Sequence, residues 1–296
     1  MDLVTPAYRA AAALAQRLPG RFIDAAAPRV AELAALRPTA SRRMVERHQR
    51  RVQPDLEGAA LRRQVRRVYR SYGRYYGESF RLPSVTPEEL SAGLTHEGYE
   101  HVLETLDRGI GPILVLPHLG SWEWCAYWLT RVEGHRLTAV VERLEPPALF
   151  DWFVSFRQRI GIDVVPLGGD AGRAVMTAIK SCHIVTLLCD RDITGGGVEV
   201  TFFGEKTTLP SGPAVLALRT GAPLLPTGVY DEGRLRHGVV RPPIPVERTG
   251  TFRQDVARIT QAIADELEAL IRRAPEQWHL LQPNWPSDRK ALAREA

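Results

Sequence analysis

Cysteine is scarce in this 296-residue chain. The three present are Cys125, Cys182 and Cys189. Their odd number, apolar neighbours and lack of metal-ligand spacing exclude a disulfide framework and a zinc site, and predict buried, reduced thiols. No run of about 18 apolar residues occurs, so no helix is expected to cross a bilayer. The opening stretch MDLVTPAYRAAAALAQRLPGRFID has no long apolar core and is broken by Arg17 and Arg21, so no secretory signal is expected. A GxSxG nucleophile elbow is missing, which removes one common serine-hydrolase signature. The glycine-rich GGGVEVTFFG does not run strand–GxGxxG–helix, so it is no dinucleotide fingerprint. It reads as a flexible loop entering a β-hairpin.

Lysine is absent from residues 1–80, which carry 16 arginines against 7 acids, a balance of +9 in a chain whose net charge is +5. The remaining 216 residues therefore sum to −4. Such asymmetry points to an anionic partner, either nucleic acid or an anionic membrane surface. The plainer alternative is a solvated arginine-rich face. With 44% apolar and 25% charged residues, the chain has the composition of a folded protein with a substantial core.

The apolar pattern divides the chain in two. Residues 1–85 read as a basic helical layer, including PAYRAAAALAQRL, DAAAPRVAELAALR and LRRQVRRVYRSYGRYYGESFRL. In the last of these, Leu61, Val65, Val68, Tyr72, Tyr75 and Tyr76 form a stripe expected to face the core. Its arginines are free to face lipid headgroups. TPEE, at Thr86, reads as a helix start. Residues 86–296 form the catalytic region, integrated with the helical layer. There, short apolar runs (PILVLPH, LTAVVE, IDVVPL, HIVTLLCD, PLLPTGVY) alternate with helical segments. That alternation predicts an α/β fold: a mostly parallel central sheet flanked by helices, beneath the N-terminal helical layer. RLRHGVVRPPIPV is expected to add an edge strand, and FRQDVARITQAIADELEALIRR a long late helix.

The stretch PILVLPHLGSWEWCAYWL carries the chemistry. A histidine, His118, ends a short strand, a Gly-Ser turn follows, and Glu123 lies one turn into the next helix. Residues five apart do not face each other in an unbroken helix, so the spacing works only with His118 outside it and Ser121 as the cap. Glu123 is then expected to accept a hydrogen bond from one imidazole nitrogen, leaving the other as a general base toward a hydroxyl. The competing reading is a structural histidine, with Glu123 serving only the helix dipole.

H-x4-E after a short strand resembles the signature of glycerolipid and lipid A type acyltransferases, and HLGSWE the form found in the lipid A late-acyltransferase family. The likeness continues through SYGRYYGESFRLP, ERLEPPALFDWFVSFRQRIGIDVVPL, LLCDRDITGGGVEVTFFGEKTTLPSGPAVLALRTGAPLLP and EQWHLLQPNWP. These blocks look most like the actinobacterial members that act on phosphatidylinositol mannosides. The resemblance implies a peripheral enzyme on the cytoplasmic face of the plasma membrane. It would move a palmitoyl group from acyl-CoA to a mannose hydroxyl, with a hydrophobic tunnel for the chain, no metal and no cofactor beyond the acyl-CoA co-substrate. It also implies an anionic membrane surface, not nucleic acid, as the partner. Glu123 stands where aspartate is expected in the mannoside enzymes, which leaves another glycolipid or a lysophospholipid open as acceptor.

Under this resemblance Asp190, after the strand IVTLL, is expected to play a supporting catalytic role, raising the basicity of His118 or fixing the acceptor hydroxyl; the alternative is a structural ion pair with Arg191. Glu142, at the end of LTAVV, and the flanking Arg191 and Asp192 are expected to bind substrate, because strand ends carry ligand contacts in such sheets. Arg157, among Phe150, Trp152, Phe153 and Phe156, is expected to bind a phosphate. Ser211 opens a helix whose amides are suited to an anion, and Arg219 is a further donor-contact candidate. His279 reads as packing beside the site. Two other classes compete: a non-enzymatic polyanion- or membrane-binding protein, and a hydrolase using Cys125, which nothing in the sequence activates.

Overall fold

The computed structural model describes residues 2 and 4–295. Four helices come first: α1 (Val4–Arg17), α2 (Gly20–Ala34), α3 (Ala40–Val52) and α4 (Gly58–Arg81). There follow α5 (Pro87–Ala92), β1 (Leu94–Glu97), α6 (Glu100–Asp107), β2 (Ile113–Leu116), α7 (Trp122–Arg131), β3 (Leu137–Val141), α8 (Pro147–Arg159), β4 (Ile162–Pro166), α9 (Ala171–Lys180) and β5 (Ile184–Leu188). The hairpin β6 (Val198–Phe202) and β7 (Glu205–Leu209) precedes α10 (Gly212–Thr220), β8 (Leu224–Glu232), β9 (Leu235–Val240), α11 (Phe252–Arg273) and α12 (Pro286–Glu295).

Seven strands form one sheet in the order β1-β9-β8-β2-β5-β3-β4. Five of them, β8 through β4, run parallel, while β9 is antiparallel to β8 and β1 parallel to β9. The mostly parallel α/β sheet is therefore as the alternating pattern predicts. All four residues of β2 are buried, as a central strand covered on both faces requires. Ile113 and Val115 pack with residues of α9, α10 and α11. Leu114 and Leu116 pack with α7 and α8 residues on the opposite face. The capping box at Thr86 and Glu89 starts α5, and a second at Thr251 and Gln254 starts α11, where side chains satisfy end amides the helix cannot.

The strand RLRHGVVRPPIPV does not lie at the edge. Its ordered part, β9, is inserted between β8 and β1, and β1 is the edge strand. At four residues and largely exposed, β1 lacks the apolar alternation by which a strand is read.

In α4 the stripe faces inward: Leu61, Val65 and Val68 are buried and Tyr75 packs on the central core. Exposed large apolar side chains concentrate elsewhere, at Leu14, Leu18, Phe22, Val30, Leu33 and Leu36, in α1, α2 and the turns after them.

Candidate active site

The site begins at the C-terminal edge of the sheet. β2 and β5 are in register, Leu116 opposite Leu188, so His118 and Asp190, each two residues beyond those positions, emerge side by side. His118 Nδ1 lies 2.7 Å from Asp190 Oδ1, and the His118 amide donates to Asp190 Oδ2 at 3.0 Å. The indole N–H of Trp278 donates to the same Oδ2 at 2.7 Å, and the Asn284 amide group donates to the Asp190 carbonyl at 2.8 Å. Asp190 is fully buried. Burial opposes its ionisation, but the His118 imidazole, the Trp278 indole and the His118 amide outweigh it, holding the carboxyl below its ordinary value. An ionised Asp190 fixes the proton of His118 on Nδ1. Nε2 makes no hydrogen bond among the described residues, and the side chain is 34% exposed.

The turn that carries His118 is clamped by the segment after α11. Gly120 N–H donates to the Gln277 carbonyl at 3.0 Å, and His279 N–H to the His118 carbonyl at 2.7 Å. Gly120 has φ +55°, and a Cβ there would sit 2.1 Å from the Val229 carbonyl oxygen, so only glycine fits. His279 accepts from or donates to Ser71 Oγ at 2.8 Å. Burial first, then the neighbouring His118, pushes its pKa down to about 3, so its ring is neutral.

Glu123 lies in the first turn of α7, as the spacing predicts, but it does not orient His118. Nδ1 is taken by Asp190, and the buried Glu123 carboxylate accepts a hydrogen bond from Arg157 Nε at 2.9 Å, with Arg157 Nη2 2.8 Å from the same oxygen. The sequence places Glu123 at the correct end of the helix; which neighbour it meets depends on α8 packing across α7. Burial would lower the Arg157 pKa, yet Glu123 more than compensates and raises it. Arg157 is thus matched by a carboxylate rather than open to a phosphate, and it also lies over the rings of Trp122 and Phe153.

The other residues singled out in the sequence divide. Glu142, after β3, is paired with Arg191, after β5, at the same sheet edge as His118. Asp192 departs from expectation: its oxygens accept from Thr194, Gly195, Gly197 and Thr208. It pins the glycine-rich loop instead of facing a substrate. Ser211 sits before α10 without capping it through its side chain. Ser121 likewise does not cap α7; it donates to Glu78 Oε2 at 2.7 Å. Arg219 is misplaced for donor contact, because α10 runs back beneath the sheet and puts it at the opposite end from His118, over Phe252.

Of the three free cysteines only Cys189 is fully buried, and Cys125 and Cys182 are half-buried. Burial and Asp231 push the Cys125 thiol up to about 12, which removes it as a nucleophile at neutral pH. Among the described residues no group of three or more His, Cys, Asp or Glu is placed to hold a metal ion.

Residues 3–287 match the family model for the bacterial lipid A biosynthesis acyltransferase. The chain belongs to that family. It is 40% identical over 223 residues to a phosphatidylinositol mannoside acyltransferase of Mycobacterium tuberculosis, covering 74% of this chain and 69% of the relative. A protein of the same name from Mycolicibacterium smegmatis is 39% identical over 227 residues, covering 76% and 73%. As a member of this acyltransferase family, the chain is read as an acyl-transfer enzyme, and the dyad at the sheet edge is the place to seek its chemistry.

Proposed function

We propose that the chain transfers a palmitoyl-type acyl group from acyl-CoA to a mannose hydroxyl of a phosphatidylinositol mannoside, with His118 as general base. The observation that carries the reading is the geometry of His118: Nδ1–H is committed to a buried carboxylate, and Nε2 is free and partly exposed. A hydroxyl attacking the thioester carbonyl loses its proton to Nε2 as the C–O bond forms. The tetrahedral intermediate then collapses, the C–S bond breaks, and the departing thiolate takes the proton back from Nε2–H. Asp190 stabilises the imidazolium in between. The relatives' names support the mannoside acceptor. The Glu142–Arg191 pair, at the same sheet edge, is assigned to hold its hydroxyls.

The acyl chain is assigned to an apolar cavity between α7 and the sheet, lined by Leu114, Leu116, Trp122, Ala126, Leu129 and Val229. One of its lining residues, Leu116, stands two positions before His118. At about 50 Å³ it is small, so α7 must yield for a long chain to enter.

Attachment to the cytoplasmic face of the membrane is assigned to α1 and α2. No helix among the described residues is long and apolar enough to cross a bilayer. The exposed side chains of Phe22, Val30, Leu33 and Leu36 instead lie among arginines, the composition of an interfacial helix. Side-by-side transfer from labelled palmitoyl-CoA to phosphatidylinositol mannoside, a lysophospholipid and another glycolipid tests the acceptor. Preference for the mannoside is expected. Equal use of the lysophospholipid would refute it.

A further inference from the structure

A groove of about 450 Å³ opens where the end of α2, the start of α3 and the start of α4 meet. Leu36, Arg42, Ala59, Arg62, Arg63 and Arg66 line it. The volume falls within the range of small-ligand sites. Arg42 is matched by Glu46 at 2.8 Å. Arg62, Arg63 and Arg66 pair with no carboxylate among the described residues, although Arg62 and Arg66 are four apart and Arg63 and Arg66 three apart on one helix. Like charges at these spacings destabilise a helix unless an anion comes between them.

A second feature has the same sign. Glu57, at the N-cap of α4, makes no side-chain cap bond. The positive end of this 24-residue helix, with first-turn amides that no N-cap side chain satisfies, therefore lies beside the groove, which Ala59 lines. Leu36, which lines the groove, is 64% exposed, and Leu33, three residues before it, is 65% exposed. A phosphate carried by a lipid would satisfy both halves, with its acyl chains beside the leucines and its phosphodiester among the guanidinium groups.

We propose that this groove binds the phosphodiester headgroup of an anionic phospholipid and fixes the protein's orientation on the membrane. The inference rests on the peripheral attachment argued above. It is separate from the acyl-transfer site, since Arg62 and Arg66 lie well away from the face of α4 on which Ser71 meets His279.

Binding of the full chain to phosphatidylcholine vesicles with and without phosphatidylinositol, at one ionic strength, tests it. R62Q/R63Q/R66Q is expected to lose on the order of 10²-fold in affinity for the anionic vesicles. R173Q/K180Q/R253Q removes three charges from α9 and α11 and is expected to stay within a few-fold of wild type. Titration with inorganic phosphate alone is expected to show no saturable binding. Equal losses in the two triple variants would mean diffuse attraction and overturn the site. So would a groove variant that binds like wild type. Saturable phosphate binding lost in the groove variant would make it a site for free phosphate and overturn the lipid assignment. Acyl transfer to detergent-dispersed acceptor is expected to be equal in the groove variant and wild type. A wild type inactive in that assay would refute the proposed reaction without touching the vesicle result.

Discussion

Replacing Asp190 by asparagine isolates what the buried carboxylate does for His118. Three donors converge on its two oxygens: His118 Nδ1–H on Oδ1, and the Trp278 indole and His118 amide on Oδ2. Asparagine offers one oxygen. The two N–H groups at the Oδ2 position are fixed donors, so the amide oxygen settles there and its NH₂ faces Nδ1. A donor facing Nδ1 forces the imidazole proton onto Nε2, the atom required as base. The expected loss in turnover is on the order of 10³-fold, within the range positioned acid–base groups contribute. Losing the charge-assisted bonds costs stability too, about 1.5–3 kcal/mol for each. The assay is turnover at saturating acyl-CoA, alongside the ¹⁵N shifts of His118 to report its tautomer. Activity within tenfold of wild type, or a ring still protonated on Nδ1, would refute the reasoning.

Three further outcomes are expected. Glu123→Ala leaves the Arg157 charge buried and unpaired and should destabilise the protein by about 3–5 kcal/mol. Adding Arg157→Met should restore much of that in chemical denaturation, and a double variant no more stable than the single would mean the pair is not the reason. Trp278→Phe removes one donor from Asp190, raising its depressed pKa. The stability that the ionised carboxylate contributes is present above its unfolded value and lost as pH falls through the folded value. The acid-unfolding midpoint should therefore move up, and an unmoved midpoint counts against the assigned bond. Arg219→Gln should leave the KM for acyl-CoA unchanged, and a several-fold rise would return this residue to the donor site.

The sequence made the sheet legible because β2, β3, β5 and β8 are continuous apolar runs between helices of helical period. β1 was not legible: four mostly exposed residues at an edge carry no pattern. His118 and Asp190 could be named because both follow apolar strands, and strand ends are where such a sheet presents ligands. Their association was expected only through the family resemblance, since no local pattern shows that β2 and β5 are neighbours in register, a long-range fact. The same limit accounts for Glu123. Spacing within one helix suggested His118 as its partner, while packing of a distant helix supplied Arg157. Trp278 was visible only as part of a Trp-rich block. Its indole reaches Asp190 because residues 277–279 lie across the catalytic turn, which no local signal announces. In Asp192, charge and position looked like a site, but its neighbours Thr194, Gly195 and Gly197 make a loop that consumes both oxygens. Ser121 shows the converse. A helix cap by residue type, it turns instead toward Glu78, which also binds Arg236 through Nε at 3.1 Å. Beside them the Asp231 carboxyl is raised to about 7 by burial and by Glu78.

The most direct test of the central claim is acyl transfer from labelled palmitoyl-CoA to phosphatidylinositol mannoside by wild type and His118→Ala, with folding of both checked by thermal denaturation. Transfer by wild type and a loss on the order of 10²-fold or more in the folded variant is the predicted result. A folded His118→Ala protein that transfers as fast as wild type would contradict the account.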